Sequence, residues 1–313
     1  MQAGEVLGQR LQGKSILLTG ATGFVGSALV PQLLERGLKV TVFTRRPKVA
    51  RAQFGERVEV LTDLMQLSPA GYYGVVNLAG APIMAGRWSR SRRELLLQSR
   101  VGTTSALLEH LRSLAVFPEV VISGSAIGFY GDTGEAPATE ATPSGSGFAP
   151  QLCREWEAEA RGFEHAGARL CLLRTGIVLG QGGGALAQML PAFRLGLGGP
   201  IGQGQQWMSW IHRQDLIHLI IWLLVDHTIE GPVNGTAPEP VRNADFTRTL
   251  AEALGRPCWL HMPAWVLKAA LGQAAEELLL ASNRVLPQKA SSHAFGFSYP
   301  ELAGALDNIV KKK

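Results

Sequence analysis

Eight residues, Thr19-Gly20-Ala21-Thr22-Gly23-Phe24-Val25-Gly26, constrain what this chain can fold into more than any others. The apolar run of residues 15–18 precedes them. An amphipathic helical pattern over 24–36 follows, with Val25, Leu29, Leu33 and Leu34 on one face. Gly37 ends that pattern, and residues 38–43 read as a second strand. Strand, glycine turn, helix and strand within about thirty residues form the βαβ unit of a parallel sheet. The glycines keep a G-x-x-G-x-x-G spacing. Gly20 allows a tight turn out of the strand, Gly23 lets backbone approach a pyrophosphate, and Gly26 lets the helix pack closely on the sheet. Thr22, Phe24 and Val25 complete a loop that directs free N–H groups and a helix dipole at an anion, the arrangement a dinucleotide needs.

The alternation continues. Residues 58–61, 75–78, 120–123 and 169–173 read as strands, with long helices over 90–111 and 151–167. The fold class is α/β, a Rossmann doubly wound parallel sheet with a smaller, mainly helical C-terminal lobe. The first domain spans 14–180, with later segments such as 205–236 weaving back, and the lobe spans 181–310. Glycines at 182–184 and 198–199 bracket a helix over 185–195. Further helices are expected over 213–225, 243–254, 263–271 and 276–285.

The end of the second strand selects the cofactor. An acidic residue there would bind the ribose diol of NAD. This chain has Thr44-Arg45-Arg46 instead. Arginine presents a forked, permanent cation to phosphate oxygens, so two guanidiniums and a hydroxyl suit a 2′-phosphate. NADP(H) is the cofactor expected. Asp63, after the third strand, is either an acceptor for the adenine amine or a surface carboxylate.

Composition narrows the remaining classes. With 46% hydrophobic and 18% charged residues the chain can fill a core. Its net charge of +5 owes much to Lys311, Lys312 and Lys313, read as a solvated tail, so no nucleic-acid partner is expected. Cys153, Cys171 and Cys258 are odd in number and have no zinc-ligand spacing, so no metal is expected. Residues 1–12 lack the apolar core of a signal peptide, and the run 216–225 is about half a membrane span. The expected setting is cytoplasmic, without membrane attachment.

These motifs, together with Val76-Asn77-Leu78-Ala79-Gly80, Ser123-Gly124-Ser125, Tyr130-Gly131, Arg174 to Gly180, Trp210-Ile211-His212 and Asp215, resemble the extended short-chain dehydrogenase/reductase superfamily, the NAD(P)-dependent epimerase/dehydratase proteins. Residues 191–204 and the tail 254–306 resemble its YfcH-like epimerase-family branch, whose short C-terminal domain of unknown function would occupy 255–305. The resemblance implies that Thr44 and Arg45 meet the 2′-phosphate, and that Leu78, Ala79 and Gly80 line the adenosine and ribose groove. It also implies that Arg100 lies at the same edge and that Leu179 touches the nicotinamide half. A homodimer through the two long helices is implied as well.

The superfamily's usual catalyst is Ser-Tyr-Lys, with Tyr and Lys one helical turn apart as Y-x-x-x-K. Ser125 occupies the Ser position. The Y-x-x-x-K is missing: Phe148, Leu152 and Cys153 stand in its neighbourhood. Tyr130 is the substitute acid to consider, or else a wall aromatic, with Arg154 or His212 supplying charge. His212 also reads as a structural histidine, and Asp215 as a residue fixing the start of the helix after it. Arg87, Arg90, Arg92 and Arg93 could meet an anionic substrate or form a solvated face. Trp207, Met208 and Trp210 are either a pocket roof or core. Two functions stay open. One is an NADP-dependent oxidoreductase or epimerase acting on a small, sugar-derived substrate. The other is a non-catalytic NADP(H) sensor or scaffold acting through a protein partner and linked to cell division.

Overall fold

Short aliphatic runs closed by turn residues become the strands, and the segments between them become helices, in a computed structural model that describes residues 11–311. The first half comprises β1 (Ser15–Thr19), α1 (Gly26–Glu35), β2 (Lys39–Phe43), α2 (Pro47–Phe54), β3 (Glu59–Leu61), β4 (Gly74–Asn77), α3 (Arg90–Leu97), α4 (Thr103–Ser113), β5 (Val120–Ala126) and α5 (Phe148–Ala160). The second comprises β6 (Arg169–Thr175), β7 (Ile177–Leu179), α6 (Gly184–Arg194), β8 (Trp207–Met208), β9 (Trp210–His212), α7 (Arg213–Val225), β10 (Gly231–Gly235), β11 (Val241–Arg242), α8 (Asn243–Leu254), α9 (Ala264–Leu271) and α10 (Leu302–Lys311).

Seven parallel strands form one sheet in the order β10-β6-β5-β4-β1-β2-β3. The order reverses between β1 and β4, and an open sheet binds ligands in the crevice beyond the carboxyl ends of such strands. Strand side chains alternate between faces. Ile16 and Leu18 pack with Leu29 and Leu33 of α1 and Leu219 and Leu223 of α7, whereas Leu17 packs with Leu107, Leu111 and Phe163 on the other face. Both faces are covered, so the strands read as continuous apolar runs. Helix α7 is buried around nearly its whole circumference, which accounts for its membrane-like composition. Among the described residues no helix is long and apolar enough to cross a membrane. A third cluster, including Leu179, Leu186, Phe193, Trp210, Phe246, Leu250 and Leu306, fills the C-terminal lobe.

Several elements differ from the sequence reading. The helix expected over 90–111 is interrupted by a π turn, Gln98–Gly102. The helix expected over 276–285 reduces to a single π turn, Glu276–Leu280. The following chain is extended and bonds to 133–138, with Thr133 N–H donating to Ser282 (2.8 Å) and Ala138 N–H to Arg284 (2.8 Å). Strand β10 and helix α2 were not anticipated. Lys311 ends α10 and pairs with Asp307 at 2.8 Å, rather than opening a solvated tail. Residues 1–10, Lys312 and Lys313 lie outside the described residues, so the readings made on them stay expectations.

Candidate functional site

Gly20 leaves β1 with φ +72°, and a Cβ there would come within 2.6 Å of the Leu78 carbonyl oxygen at the end of β4. The loop therefore passes against neighbouring backbone where only glycine fits. Gly23 N–H donates to the Gly20 carbonyl at 3.0 Å. Gly26 departs from its expected role: a Cβ there would strike Gly20 and Ala21, so its close approach lies within the loop rather than against the sheet. Helix α1 begins after Val25 with no side-chain cap. From Ser27 on its amides bond within the chain, Ser27 N–H to the Gly23 carbonyl (2.9 Å) and Leu29 N–H to the Val25 carbonyl (3.0 Å). An anion therefore meets the loop amides ahead of them, at residues 24–26, where the helix dipole favours one.

A buried polar chain that the sequence reading missed holds the strand ends together. Thr19 Oγ1 donates to Asn77 Oδ1 at 2.6 Å and accepts from Ala79 N–H at 3.1 Å. Asn77 Nδ2 donates to Thr104 Oγ1 at 2.8 Å, and Trp156 Nε1 donates to the same oxygen at 3.1 Å. A polar Asn inside Val-Val-Asn-Leu was the available signal.

At the end of β2, Thr44 is half-buried and Arg45 is exposed. Arg46 reaches back across the loop, donating to Thr22 Oγ1 at 2.7 Å, and Pro47 starts α2. Asp63 caps a helical turn by accepting from Met65 N–H at 3.0 Å. Leu78 and Ala79 are half-buried at the end of β4, and Gly80 is exposed. The π turn brings Arg100 beneath this segment. Its guanidinium donates to the Ala81 carbonyl at 3.0 Å and lies 5.3 Å from the Trp156 ring, and burial draws its pKa below the usual arginine range. Leu179 ends β7 rather than lying in a loop, and its side chain is fully buried in the C-terminal cluster, which leaves its backbone to face a ligand.

Ser125 and Tyr130 are brought into one network. Ser125 Oγ donates to Glu157 Oε1 at 2.6 Å. Arg174 clamps the same carboxylate with Nε (2.8 Å) and a second nitrogen (2.9 Å). Arg174 also donates to Tyr130 Oη at 3.0 Å, and that hydroxyl donates to Asn234 Oδ1 at 2.7 Å. Tyr130 is 3% exposed, and burial, partly opposed by Arg174, raises its pKa. Its single proton is committed to Asn234. Of the two readings of Tyr130, substitute acid or wall aromatic, this burial and hydrogen bonding fit the second better.

Helix α5 turns its residues to two sides. Phe148 and Leu152 turn into an apolar cluster with Trp88 and Leu96, and the Phe148 and Trp88 rings meet edge to face at 4.9 Å. The face of α5 turned toward β5 carries residues one turn apart. Glu157 bonds Ser125, the Cys153 thiol donates to the Ala126 carbonyl at 3.7 Å, and Ala149 lies one turn earlier. Ala149, which also borders the Phe148 and Leu152 cluster, and Cys153 thus share the side of α5 nearest Ser125, and neither is a Tyr or a Lys. Burial, then the charge of Glu157, pushes the Cys153 thiol up to about 11, so it is neutral at physiological pH.

The start of α5 has another partner. Glu277, in the C-terminal segment, accepts from the amides of Phe148 (3.0 Å) and Ala149 (2.7 Å). Two arginines of the cluster reach the same segment, Arg93 donating to Gln273 and the Arg87 guanidinium lying beside Gly272, whereas Arg90 pairs with Glu94 and Arg92 donates to the Pro82 carbonyl. His212 caps α7 by accepting from Gln214 N–H at 3.1 Å, with its ring against Tyr299. Asp215 lies in the first turn of α7, where an acidic residue was expected, and it also accepts from the amides of Ser298 and Tyr299, both at 2.9 Å, so it fastens the C-terminal segment as well. Arg154 is turned outward to Ser144 and Gly145. Trp210 is core, whereas Trp207 lies between the Arg242 and Arg284 guanidiniums. Among the described residues no cluster could hold a metal ion.

Comparison with known proteins places this geometry. Residues 16–234 match the NAD dependent epimerase/dehydratase family, and residues 262–309 match a domain of unknown function, DUF1731. The chloroplastic epimerase family protein SDR39U1 homolog of Arabidopsis thaliana is 38% identical, over 95% of this chain and 87% of its own length. The human epimerase family protein SDR39U1 is 36% identical, over 94% of this chain and 99% of its own. A crystal structure of the human protein with NADPH superimposes with a TM-score of 0.86 at 33% identity, covering 96% of this chain and all of that one. A nucleoside-diphosphate sugar epimerase from Corynebacterium glutamicum gives 0.75 at 30% identity, covering 98% of this chain and 61% of that one. The chain belongs to the NAD dependent epimerase/dehydratase family, with a DUF1731 segment at its C-terminal end.

Proposed function

We propose that this chain binds NADP(H) in the crevice between β1 and β4 and acts as an oxidoreductase of the extended short-chain type on a small, sugar-derived substrate. One observation carries the cofactor assignment. The uncapped start of α1 and the exposed Arg45 at the end of β2 make an anion cradle with a second cation site at its adenosine end, and no carboxylate stands at residues 44–46. The human relative's NADPH supports the same choice. The loop amides leading into α1 hold the pyrophosphate, and Thr44 and Arg45 hold the 2′-phosphate. The backbone of Leu78 to Gly80 lines the ribose groove, with Arg100 beneath it. When bound, the nicotinamide supplies hydride chemistry. Ser125 points its hydroxyl hydrogen at Glu157, so it holds a substrate hydroxyl by accepting from it. The sugar class rests on the name of the Corynebacterium neighbour.

A second reading, a non-catalytic NADP(H) sensor or scaffold acting through a protein partner, is favoured by the face of α5. Ala149 has no proton to give, and the buried Cys153 thiol directs its own at the Ala126 carbonyl, so neither replaces a Tyr hydroxyl beside Ser125. Calorimetric titration with NADPH, followed by a panel of carbonyl compounds and nucleotide sugars with NADPH oxidation as readout, separates the two. Binding with turnover supports the enzyme. Binding without turnover moves the function to the sensor. Absence of binding rejects both.

A further inference from the structure

Arg213 sits where a cation is out of place. It opens α7, and a helix dipole disfavours positive charge in its first turn. It is half-buried, and desolvation alone lowers its pKa. Among the described residues no carboxylate pairs with it. Its contact is aromatic: the guanidinium carbon lies 4.7 Å from the centroid of the Phe24 ring.

Phe24 follows Gly23 in the loop that leads into α1, and a second glycine-rich loop covers its ring. A Cβ on Gly183 would come within 2.5 Å of the Phe24 ring, and one on Gly184 within 2.7 Å. A Cβ on Gly180 would lie 3.1 Å from Phe24 Cζ and 3.2 Å from Arg213 Nε. The loop after β1 and the loop after β7 therefore meet on one phenylalanine, and an unpaired guanidinium lies in the seam. Such a group keeps its charge in a partly dry place at low cost only when an anion joins it.

We propose that Arg213 is a phosphate-binding residue, which neutralises a phosphate of the ligand held at the glycine loop and, through its stacking on Phe24, draws the 180–184 loop against the start of α1. This inference rests on the NADP(H) reading. The shared chemistry is a phosphate group, carried either by the dinucleotide as its pyrophosphate or by a nucleotide-sugar substrate.

The test is calorimetric titration of the full chain and of Arg213→Gln and Arg213→Lys with NADPH, adenosine 2′-monophosphate and uridine diphosphate. The pyrophosphate assignment predicts that Arg213→Gln weakens NADPH at least tenfold and leaves adenosine 2′-monophosphate unchanged. Arg213→Lys should fall between, because lysine keeps the charge without the planar stack. Unchanged NADPH affinity with a tenfold loss for uridine diphosphate supports a phosphate role and assigns the phosphate to the substrate. Unchanged affinity for all three ligands overturns the inference. So does a parallel loss for all three, which would report a damaged fold. A wild-type chain that does not bind NADPH overturns the cofactor reading itself, whereas wild-type binding matched by Arg213→Gln for NADPH and uridine diphosphate overturns this inference alone.

Discussion

Single residues here are legible in proportion to how local their task is. The glycine octet could be read because each glycine answers to backbone a few residues away or to the next strand. Arg45 could be read because its exposure follows from a strand that ends in Thr-Arg-Arg-Pro. Charge-assisted hydrogen bonds contribute about 1.5–3 kcal/mol. Arg45→Ala should therefore weaken NADPH by about ten- to a hundredfold and leave NADH nearly unchanged, as measured by titration. Equal losses would remove the 2′-phosphate assignment. Tyr130 and Ser125 were harder, because their partners lie far along the chain, Asn234 and Glu157. Nothing near Tyr130 in sequence announces that its proton is spoken for. Buried thiols give a further check. With Cys153 and Cys171 both pushed up to about 11 by burial, iodoacetamide at pH 8 should alkylate the partly exposed Cys258 first in the native protein. Mass-mapped labelling at Cys153 before Cys258 would contradict the packing described.

At the scale of elements, strands covered on both faces announce themselves as apolar runs. Strand β10 does not, because Gly-Pro-Val-Asn-Gly has the composition of a turn. It pairs only with β6, and an edge strand tolerates the proline that a central one would not. Helix α2 was hidden for a related reason: Pro47 reads as a break, yet proline suits the first helical position. Helix α5 is legible as an element, but which of its sides meets β5 is not. Each residue turns a helix by about 100°, so Cys153 meets the end of β5 while its neighbour Leu152 points into an apolar cluster. The same helix carries two predictions. Glu277→Ala removes the cap that reaches α5 from the C-terminal segment, and loss of a cap costs about 0.5–2 kcal/mol. A lower midpoint in urea is expected, with Ser125 and the glycine loop untouched. Glu157→Gln leaves the Arg174 guanidinium, 4% exposed on its side chain, without its carboxylate. Breaking such a buried pair from one side costs about 3–5 kcal/mol. A Tm change no larger than that of a surface substitution would show that the pair is not closed as described.

On the scale of the whole molecule, the C-terminal segment is stitched into the sheet half rather than hung beside it. Glu277 holds α5, Asp215 holds Ser298 and Tyr299, Asn234 Nδ2 donates to Leu286, and Glu140 accepts from Lys289 N–H. Such contacts between distant segments leave no periodic trace, so sequence could show that the tail exists but not where it docks. Asp215 gives the stitching a pH signature. Burial raises its pKa in the folded state, with the Ser298 and Tyr299 amides opposing. The native state then holds the proton more tightly than the unfolded chain. The stability from this group is fullest below the unfolded value of 3.8 and declines as pH rises through the folded one. The Tm margin of the wild type over Asp215→Asn should therefore narrow between pH 4 and pH 7. A margin that widens would place the carboxyl in a more polar setting than the one seen.

The Glu277 contact also bears on how the molecule is made. The carboxylate lies 129 residues after the Phe148 amide it binds. At synthesis rates of about 5–20 residues per second, α5 leaves the ribosome roughly 6–26 seconds ahead of its cap. For part of that interval β6 is the raw border of an unfinished sheet, since its neighbour β10 is also encoded later. The nascent chain thus carries the residues of the nucleotide cradle beside an open strand, a state exposed to wrong pairing with other chains, until β10 arrives to cover it, with the Glu277 cap still to come.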